Sequence, residues 1–297
     1  MSDLKSYEYV LAIAECGAIS EAAEKLGIAQ PTLSRYIIKL ENELGVTLFD
    51  RRELPLRPTG AGRAYVEAAK KLIYLEGQLK KQLDEEKGIK NSIVRVGISP
   101  SRSPYMMPAI VETFRKKNQS ARLIIEEKTT AELAQRLANG DIDLAISLLD
   151  NDTEQFEREE LFSEDILLAL RRGTQEVSDA KQIMLHTPLI SVGRGQAMWR
   201  SLHNLADAIG APEPQIECQS IESALALTAR GLGAMLVPSY IVKFASERER
   251  TMLDFLPLPS HSLTRRVCLF WKRESHLTKA EQTFIDSVKQ TLFSIDG

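Results

Sequence analysis

The sequence predicts a mixed α/β chain in three parts: a small helical head, one long helix, and a large module of alternating strands and helices. Three patterns carry that prediction. Residues 18–60 read as two short helices around a tight glycine turn, followed by a short hairpin. Residues 65–79 repeat apolar side chains in steps of three and four. From residue 92 onward, β-rich runs alternate with amphipathic ones. The expected parts are a winged helix-turn-helix over 1–60, a linker helix and hinge over 61–90, and an α/β module over 91–297. Within that module we expect two lobes, about 91–163 with 266–297, and about 164–265.

Composition sets limits. With 297 residues, 43% hydrophobic and 27% charged, the chain has material for more than one core. No apolar run approaches the length that crosses a bilayer, and Met1-Ser2-Asp3-Leu4-Lys5 lacks the features of a signal peptide. A cytoplasmic location and no membrane partner are expected. Cys16, Cys218 and Cys268 are far apart with no C-x-x-C pair. They read as buried thiols, with a redox pair of Cys218 and Cys268 as the alternative; no metal and no cofactor are expected.

In the head, Leu4, Tyr7, Leu11 and Ala14 recur at helical spacing and are expected to form the buried face of a first helix, ended by Gly17. Ser20 is placed to cap a second helix whose Ala22, Ala23 and Leu26 face inward. Gly27 supplies the left-handed position of a sharp turn. Pro31 suits the first turn of a third helix with a core stripe of Leu33, Ile37, Leu40 and Leu44. That stripe leaves Gln30, Thr32, Ser34, Arg35 and Lys39 on other faces.

Gln can pair with adenine edges, Arg with guanine, and short hydroxyls suit phosphates. Taken alone such a face is a solvated helix surface; with the Gly turn and the Pro beside it, it reads as a helix for the DNA major groove. Val46–Phe49 is expected as a short strand, and 51–58 as its return or an irregular wing. Arg51, Arg52 and Arg57 there would grip phosphates or the minor groove, or merely solubilise the hairpin. Net charge is −3, but residues 25–63 carry seven Lys or Arg against four acids. An excess of three is modest, so affinity is expected to need several copies.

The pattern Ser20-x-Ala22-Ala23-x-x-Leu26 … Gln30-Pro31-x-Leu33-Ser34-x-x-Ile37-x-x-Leu40-Glu41-x-x-Leu44-Gly45-x-x-Leu48-Phe49-x-Arg51 resembles the DNA-binding head of the LysR-type transcriptional regulators. By that resemblance Gln30, Pro31, Thr32, Ser34 and Arg35 would contact a double-stranded DNA operator, with Arg52, Arg57 and Thr59 on the backbone. Ala29 departs from the pattern, standing where the family commonly has a hydroxyl. A side-chain cap or phosphate contact there is lost or passes to Thr32.

Thr59 can cap a helix running to about residue 87. Tyr65, Ala68, Leu72, Leu75 and Leu79 form its seam, and Leu83 continues the apolar face one place out of register. Packing on the head is one use of that stripe; pairing with a second copy is the other, and the resemblance implies the second. Dimers, frequently tetramers, follow from it, with RNA polymerase as a further partner. Gly88-Ile89-Lys90-Asn91 reads as a hinge.

Beyond it, strands at 93–98, 122–127 and 141–146 alternate with helices at Met107–Lys117 and Ala131–Asn139, which predicts a parallel sheet. A crossing strand over 161–170, strands at 189–192, 216–218 and 234–237, a return at 267–271 and a helix from about Lys279 to Phe293 follow. Asn139-Gly140-Asp141-Ile142-Asp143-Leu144-Ala145-Ile146 and Thr228-Ala229-x-Gly231-Leu232-Gly233-Ala234-Met235-Leu236-Val237-Pro238 are similar to segments of the LysR effector domain. That resemblance implies the two-lobed architecture of periplasmic binding proteins. Strand ends and helix starts then mark the cleft: Ser99, Ser101, Arg102, Ser103, Thr129, Thr130 and Ser147 from the first lobe, Ser191 and Arg194 from the second. Hydroxyls, helix N-termini and arginines favour a small anionic effector such as a carboxylate, although each Ser or Thr alone also reads as an N-cap.

The leading class is therefore an effector-controlled transcriptional regulator. An enzyme would need catalytic groups, yet the sequence has no G-x-S-x-G elbow or phosphate loop, and His186, His203, His261 and His276 are scattered. No catalytic residue is assigned. An architectural DNA-binding protein would have little use for a two-lobed module.

Overall fold

A computed structural model describes residues 4–52, 54–87, 92–148, 154–174, 179–194, 196–244, 247–258, 264–273 and 275–293. It divides into two compact units, Met1–Ile89 and Lys90–Gly297. The expected hinge at 88–91 and His261 lie outside the described residues.

The first unit packs α1 (Leu4–Cys16), α2 (Ile19–Leu26) and α3 (Gln30–Leu44) around Val10, Ile13, Ala22, Ala23, Leu33, Ile37 and Leu40. The buried face of α1 is Ser6, Val10, Ala12 and Ile13, offset from the expected Leu4, Tyr7, Leu11 and Ala14. Two apolar stripes fit helical spacing in this segment. The inner one is chosen because Tyr65 reaches in and donates to Ser6 Oγ at 2.9 Å, satisfying the one polar group on that face. The second helix begins at Ile19 behind an extended Ala18, so Ser20 lies exposed in the first turn and is not the cap. Gly27, at φ +67°, turns the chain into α3 as expected, and Ile28 N–H closes on Ala23 O at 3.0 Å.

Strands β1 (Phe49–Asp50) and β2 (Arg57–Pro58) pair antiparallel as a minimal wing. Then α4 runs Gly60–Glu86, with Thr59 as its N-cap: Thr59 Oγ1 accepts from Gly62 N–H at 3.0 Å and donates to Thr47 O at 2.7 Å. Gly62 is required where it stands, because a Cβ would collide with the Leu48 carbonyl of the wing.

The second unit builds its first lobe on β3 (Ile93–Ile98), α5 (Ser103–Lys117), β4 (Arg122–Glu127), α6 (Thr130–Asn139), β5 (Leu144–Leu148) and β6 (Phe156–Glu164). The second lobe follows as β7 (Ile166–Arg171), α7 (Ala180–His186), β8 (Ile190–Val192), α8 (Ala197–Ile209), β9 (Ile216–Cys218), α9 (Ile221–Ala229), β10 (Met235–Pro238), α10 (Tyr240–Phe244), α11 (Glu247–Met252) and β11 (Leu253–Pro257). The chain then returns to the first lobe through β12 (Arg265–Lys272) and α12 (Lys279–Phe293).

The first sheet has the order β4-β3-β5-β12-β6, in which β3, β4 and β5 are parallel. The two crossing strands run antiparallel to their neighbours, so the sheet is mixed where a parallel one was expected. Its faces are covered by α5 and α12 on one side and by α6 on the other. In the second lobe β10-β7-β11 is antiparallel, β8 and β9 are parallel, and a bridge from Leu189 to Ala234 links the two sets.

The expected crossing strand over 161–170 is two strands, broken at Asp165. There the main chain leaves its ladder: Asp165 N–H donates to Ser239 Oγ at 3.1 Å, and Ser239 N–H to Asp165 O at 2.8 Å. The second crossover is tied to the first by Thr264 Oγ1, which donates to Asp165 Oδ1 at 2.8 Å. Helix α5 starts at Ser103, four residues before the expected Met107, since Pro104 in a first turn needs no N–H partner.

Candidate functional site

The first candidate surface is the start of α3. Gln30, Pro31, Thr32, Arg35 and Lys39 are exposed and Ser34 half-buried. Ala29 is the N-cap and supplies no side-chain hydrogen bond, in keeping with its departure from the family pattern. Arg35 Nε donates to Pro31 O at 3.2 Å, which holds the guanidinium along the helix, and Lys39 Nζ stands 3.7 Å from Glu43.

One residue beyond the sequence reading organises this surface. Leu44, expected in the core stripe, is 42% exposed, while Glu41 is buried at 8%. Glu41 Oε1 accepts from the N–H groups of Leu48 (2.7 Å) and Phe49 (3.3 Å), and Oε2 from Arg51 Nη2 (2.8 Å). A carboxylate late in α3 therefore fastens the wing. Of the wing arginines, Arg51 is spent on Glu41 and Arg52 forms a two-toothed pair with Asp50 at 2.8–3.0 Å. The Arg52 guanidinium holds the Asp50 carboxyl down to about 2, so this pair stays ionised at neutral pH. Arg57 is exposed, and the Thr59 hydroxyl is occupied on both sides as a cap.

The second candidate is a narrow cleft between the lobes, with an internal volume of only about 30 Å³. Ser99, Ser101 and Arg102 (before α5) and Thr129 and Thr130 (at the start of α6) line it from the first lobe. Gln196, Ala197 and Met198 at the start of α8, Pro238 and Arg265 complete it. Five of the nine sequence candidates thus come together. Thr129 is the most committed of them, because its hydroxyl donates to Glu132 Oε2 at 2.7 Å within a capping box.

The other four stand elsewhere. Ser103 is buried within the first turn of α5. Ser147 lies inside β5 opposite Cys268, whose side chain packs under α6. Ser191 is buried in β8 and donates to Val192 O at 2.9 Å. Arg194 stacks over the Trp199 ring at 5.6 Å.

Behind the lining sits a charge cluster that sequence reasoning missed except for Arg102. Glu164, with no exposed surface, takes Arg102 Nη2 and Arg265 Nη2 on the same oxygen, each at 2.6 Å. Glu164 and Arg265 are register partners in the β6–β12 ladder, at the points where the two crossovers leave the first lobe. Arg102 is further fixed over the Tyr240 ring at 5.2 Å and donates to Ser99 Oγ at 3.2 Å. Tyr240 OH donates to Ser101 O at 2.7 Å, and burial pushes its pKa up to about 12. Burial pulls the pKa of Arg265 down, with Glu164 opposing it. Four buried polar atoms of the cluster have no protein partner among the described residues: Arg102 Nε, Arg265 Nε and Nη1, and Glu164 Oε2. Across the cleft, α8 begins without a side-chain cap.

The three cysteines are free thiols in separate places. Cys16 packs on the head core, Cys218 on the second-lobe core, and Cys268 is buried in the first lobe, where burial pushes its pKa up.

A helix-turn-helix head and a two-lobed module with a charged cleft, carried on one chain, define a transcriptional regulator with an effector-binding domain. The comparisons specify the family. Residues 89–293 match the LysR substrate binding domain, and residues 4–63 match the bacterial regulatory helix-turn-helix protein, lysR family. The chain belongs to the LysR family and is a DNA-binding regulator by that membership.

Among relatives, the hydrogen peroxide-inducible genes activator of Dickeya chrysanthemi is 28% identical, covering 97% of this chain and 95% of that protein. The dual regulator OxyR of Escherichia coli K12 is 26% identical over the same shares, 97% and 95%. A full-length OxyR variant of Pseudomonas aeruginosa has a similar fold, with TM-score 0.69, 22% identity, and coverage of 98% of this chain and 95% of that one.

Proposed function

We propose that this chain reads an operator through the exposed start of α3, pairs with a second copy through α4, and is switched by a small anion held between the lobes. Residues 1–60 would do the reading, 61–90 the pairing and 91–297 the sensing, in the cytoplasm. The observation that carries the ligand half is the Arg102–Arg265 pair. Two guanidinium groups line the cleft, and the single carboxylate of Glu164 behind them offsets only one of the two positive charges. A carboxylate would offset the other, and the uncapped start of α8 adds favourable field from the other side.

Relatives named for hydrogen peroxide raise a thiol switch as the other reading. Cys218 and Cys268 belong to different cores, which favours ligand over thiol.

On the DNA side the proposal names Gln30, Pro31, Thr32, Ser34, Arg35 and Lys39 for the groove, and Arg52, Arg57 and Thr59 for the backbone. Thr59 would contribute by holding the wing, since its hydroxyl is engaged. If Arg35 reads a base, Arg35→Ala costs about 1–3 kcal/mol of specific binding and relaxes preference at one operator position. A uniform loss over all sequences would make it a phosphate contact instead. Asp50→Asn is expected to strengthen binding: it releases Arg52 to a phosphate, steepening the log–log salt slope by about 0.9. An unchanged slope would remove Arg52 from the interface.

The test of the whole is selection of bound duplexes from random DNA by the full chain, then titration of small carboxylates into the complex. Enriched inverted half-sites about one helical turn apart, with binding altered by a carboxylate, are the expected result. Absence of any enriched sequence would overturn the reading head, and indifference to all carboxylates the anion switch.

A further inference from the structure

Resting on that reading of the cleft, we propose that Glu164 is a built-in counter-ion that sets the ligand's charge, so that the site takes a small monocarboxylate and discriminates against dianions. Among the described residues, Arg102 and Arg265 are the charged residues of the narrow lining, and Glu164 behind them is fully buried. Two positive charges against one negative leave a single positive charge, which one carboxylate neutralises. A second negative charge on the ligand would enter a site already neutral, and burial makes that expensive. Beyond the lining, exposed Glu132 has Lys128 and Arg136 near it, and Arg136 is itself paired with Glu126 at 2.9 Å, so these four charges largely offset one another.

The ion pairs agree with the count. Glu164 Oε1 takes one N–H from each arginine, so one carboxylate is shared between two guanidinium groups. Arg102 Nε, Arg265 Nε and Nη1, and Glu164 Oε2 have no partner among the described residues, so protein groups alone do not saturate the cluster. Placement links this to control. Glu164 ends β6 and Arg265 begins β12, so a ligand drawing on Arg265 acts at the two crossovers that join the lobes. Strands that both lobes share are where a change of closure must be absorbed.

The experiment is calorimetric titration of the full-length protein with probe pairs that differ by one carboxylate, propionate against succinate and benzoate against phthalate, at neutral pH. In the unaltered protein the monoanion of at least one pair binds roughly tenfold or more tightly than its dianion, the scale of one partly screened charge contact. Glu164→Gln keeps the shape and leaves two positive charges, so preference shifts toward the dianion by a similar factor. Arg102→Gln leaves no net charge and loses both probes. The double variant Arg102→Gln with Glu164→Gln returns to one positive charge and regains the monoanion.

If Glu164→Gln does not fold, the last two variants still decide the matter, since monoanion binding regained on removing Glu164 has no steric explanation. Probes that bind the unaltered protein but keep their ratio in Glu164→Gln overturn the counter-ion role and leave the anion cleft standing. If no probe binds the unaltered protein, the anion cleft itself fails and this proposal falls with it.

Discussion

Replacing Glu41 with alanine is expected to destabilise the head by about 3 kcal/mol and, by freeing the wing from α3, to weaken specific DNA binding. The carboxylate accepts from Leu48 N–H, Phe49 N–H and Arg51. Leu48 and Phe49 are 1% and 4% exposed and both bonds are buried, so truncation leaves two buried donors without their acceptor. Each such donor costs about 1–3 kcal/mol when water cannot reach it. The Arg51 pair adds little, because Arg51 keeps 42% of its side-chain surface in water. A domain of this size is stable by only about 3–9 kcal/mol, so the loss removes a large share. Glu41→Gln should recover part of it, since the amide oxygen can still accept from Leu48 while its NH₂ faces Arg51. Thermal unfolding of the full chain followed by circular dichroism checks this: a head transition falls in temperature and specific DNA binding weakens with it. Carboxylate binding in the second unit is expected to persist, because every partner of Glu41 belongs to the head. An unchanged head transition would mean that water replaces the carboxylate and that Glu41 is not the wing's anchor.

Glu41 also shows where sequence reading stops. The stripe of Leu33, Ile37 and Leu40 is legible because a helix repeats every 3.6 residues whatever surrounds it. A glutamate one step off that stripe reads as surface. The donors it accepts from are main-chain N–H groups that come within reach only after Gly45 sends the chain back past α3. The same logic divides the cleft. Ser99, Ser101, Arg102, Thr129 and Thr130 were legible because they sit between a strand and a helix, and that position alone places them at the sheet's carboxyl edge. Ser147 reads as equivalent, but β5 runs two residues beyond the expected 146, which carries Ser147 into the ladder; Ser191 lies inside the expected strand 189–192, and its hydroxyl is turned onto Val192 O instead of the cleft. Glu164 and Arg265 are far apart in sequence and meet only through the β6–β12 register. What marked them was indirect: each falls at an expected lobe boundary, where a charged residue has no solvent-facing reason to be.

The second large effect is expected in α4. Its Leu72, Leu75, Leu79 and Leu83 keep 40, 53, 55 and 48% of their surface exposed, in line along a helix of 27 residues. Single exposed leucines need no explanation, but a stripe of four on one helix is a surface that awaits a partner. Changing Leu75 and Leu79 together to alanine removes four half-exposed leucines from a symmetric pair of copies. Half the usual gain for burying a leucine, taken four times, is about 3–6 kcal/mol, or roughly a hundredfold to ten-thousandfold in dimer affinity. Alanine is the best helix former, so α4 itself should survive and the circular dichroism of the chain should hardly change. Sedimentation then separates the possibilities. Dissociation of a dimer into monomers at micromolar concentration is the expected result; an unaltered dimer would place the seam elsewhere and leave α4 as a helix that packs on its own chain. The effect on DNA should exceed that of Arg35→Ala. One head carries a local excess of only three positive charges over residues 25–63, too few to hold phosphates tightly alone. Tethering a second head turns its binding into an intramolecular step at high effective concentration, and that multiplication vanishes with the dimer. Losing one base contact weakens each head; losing the seam removes the reason that two weak heads suffice.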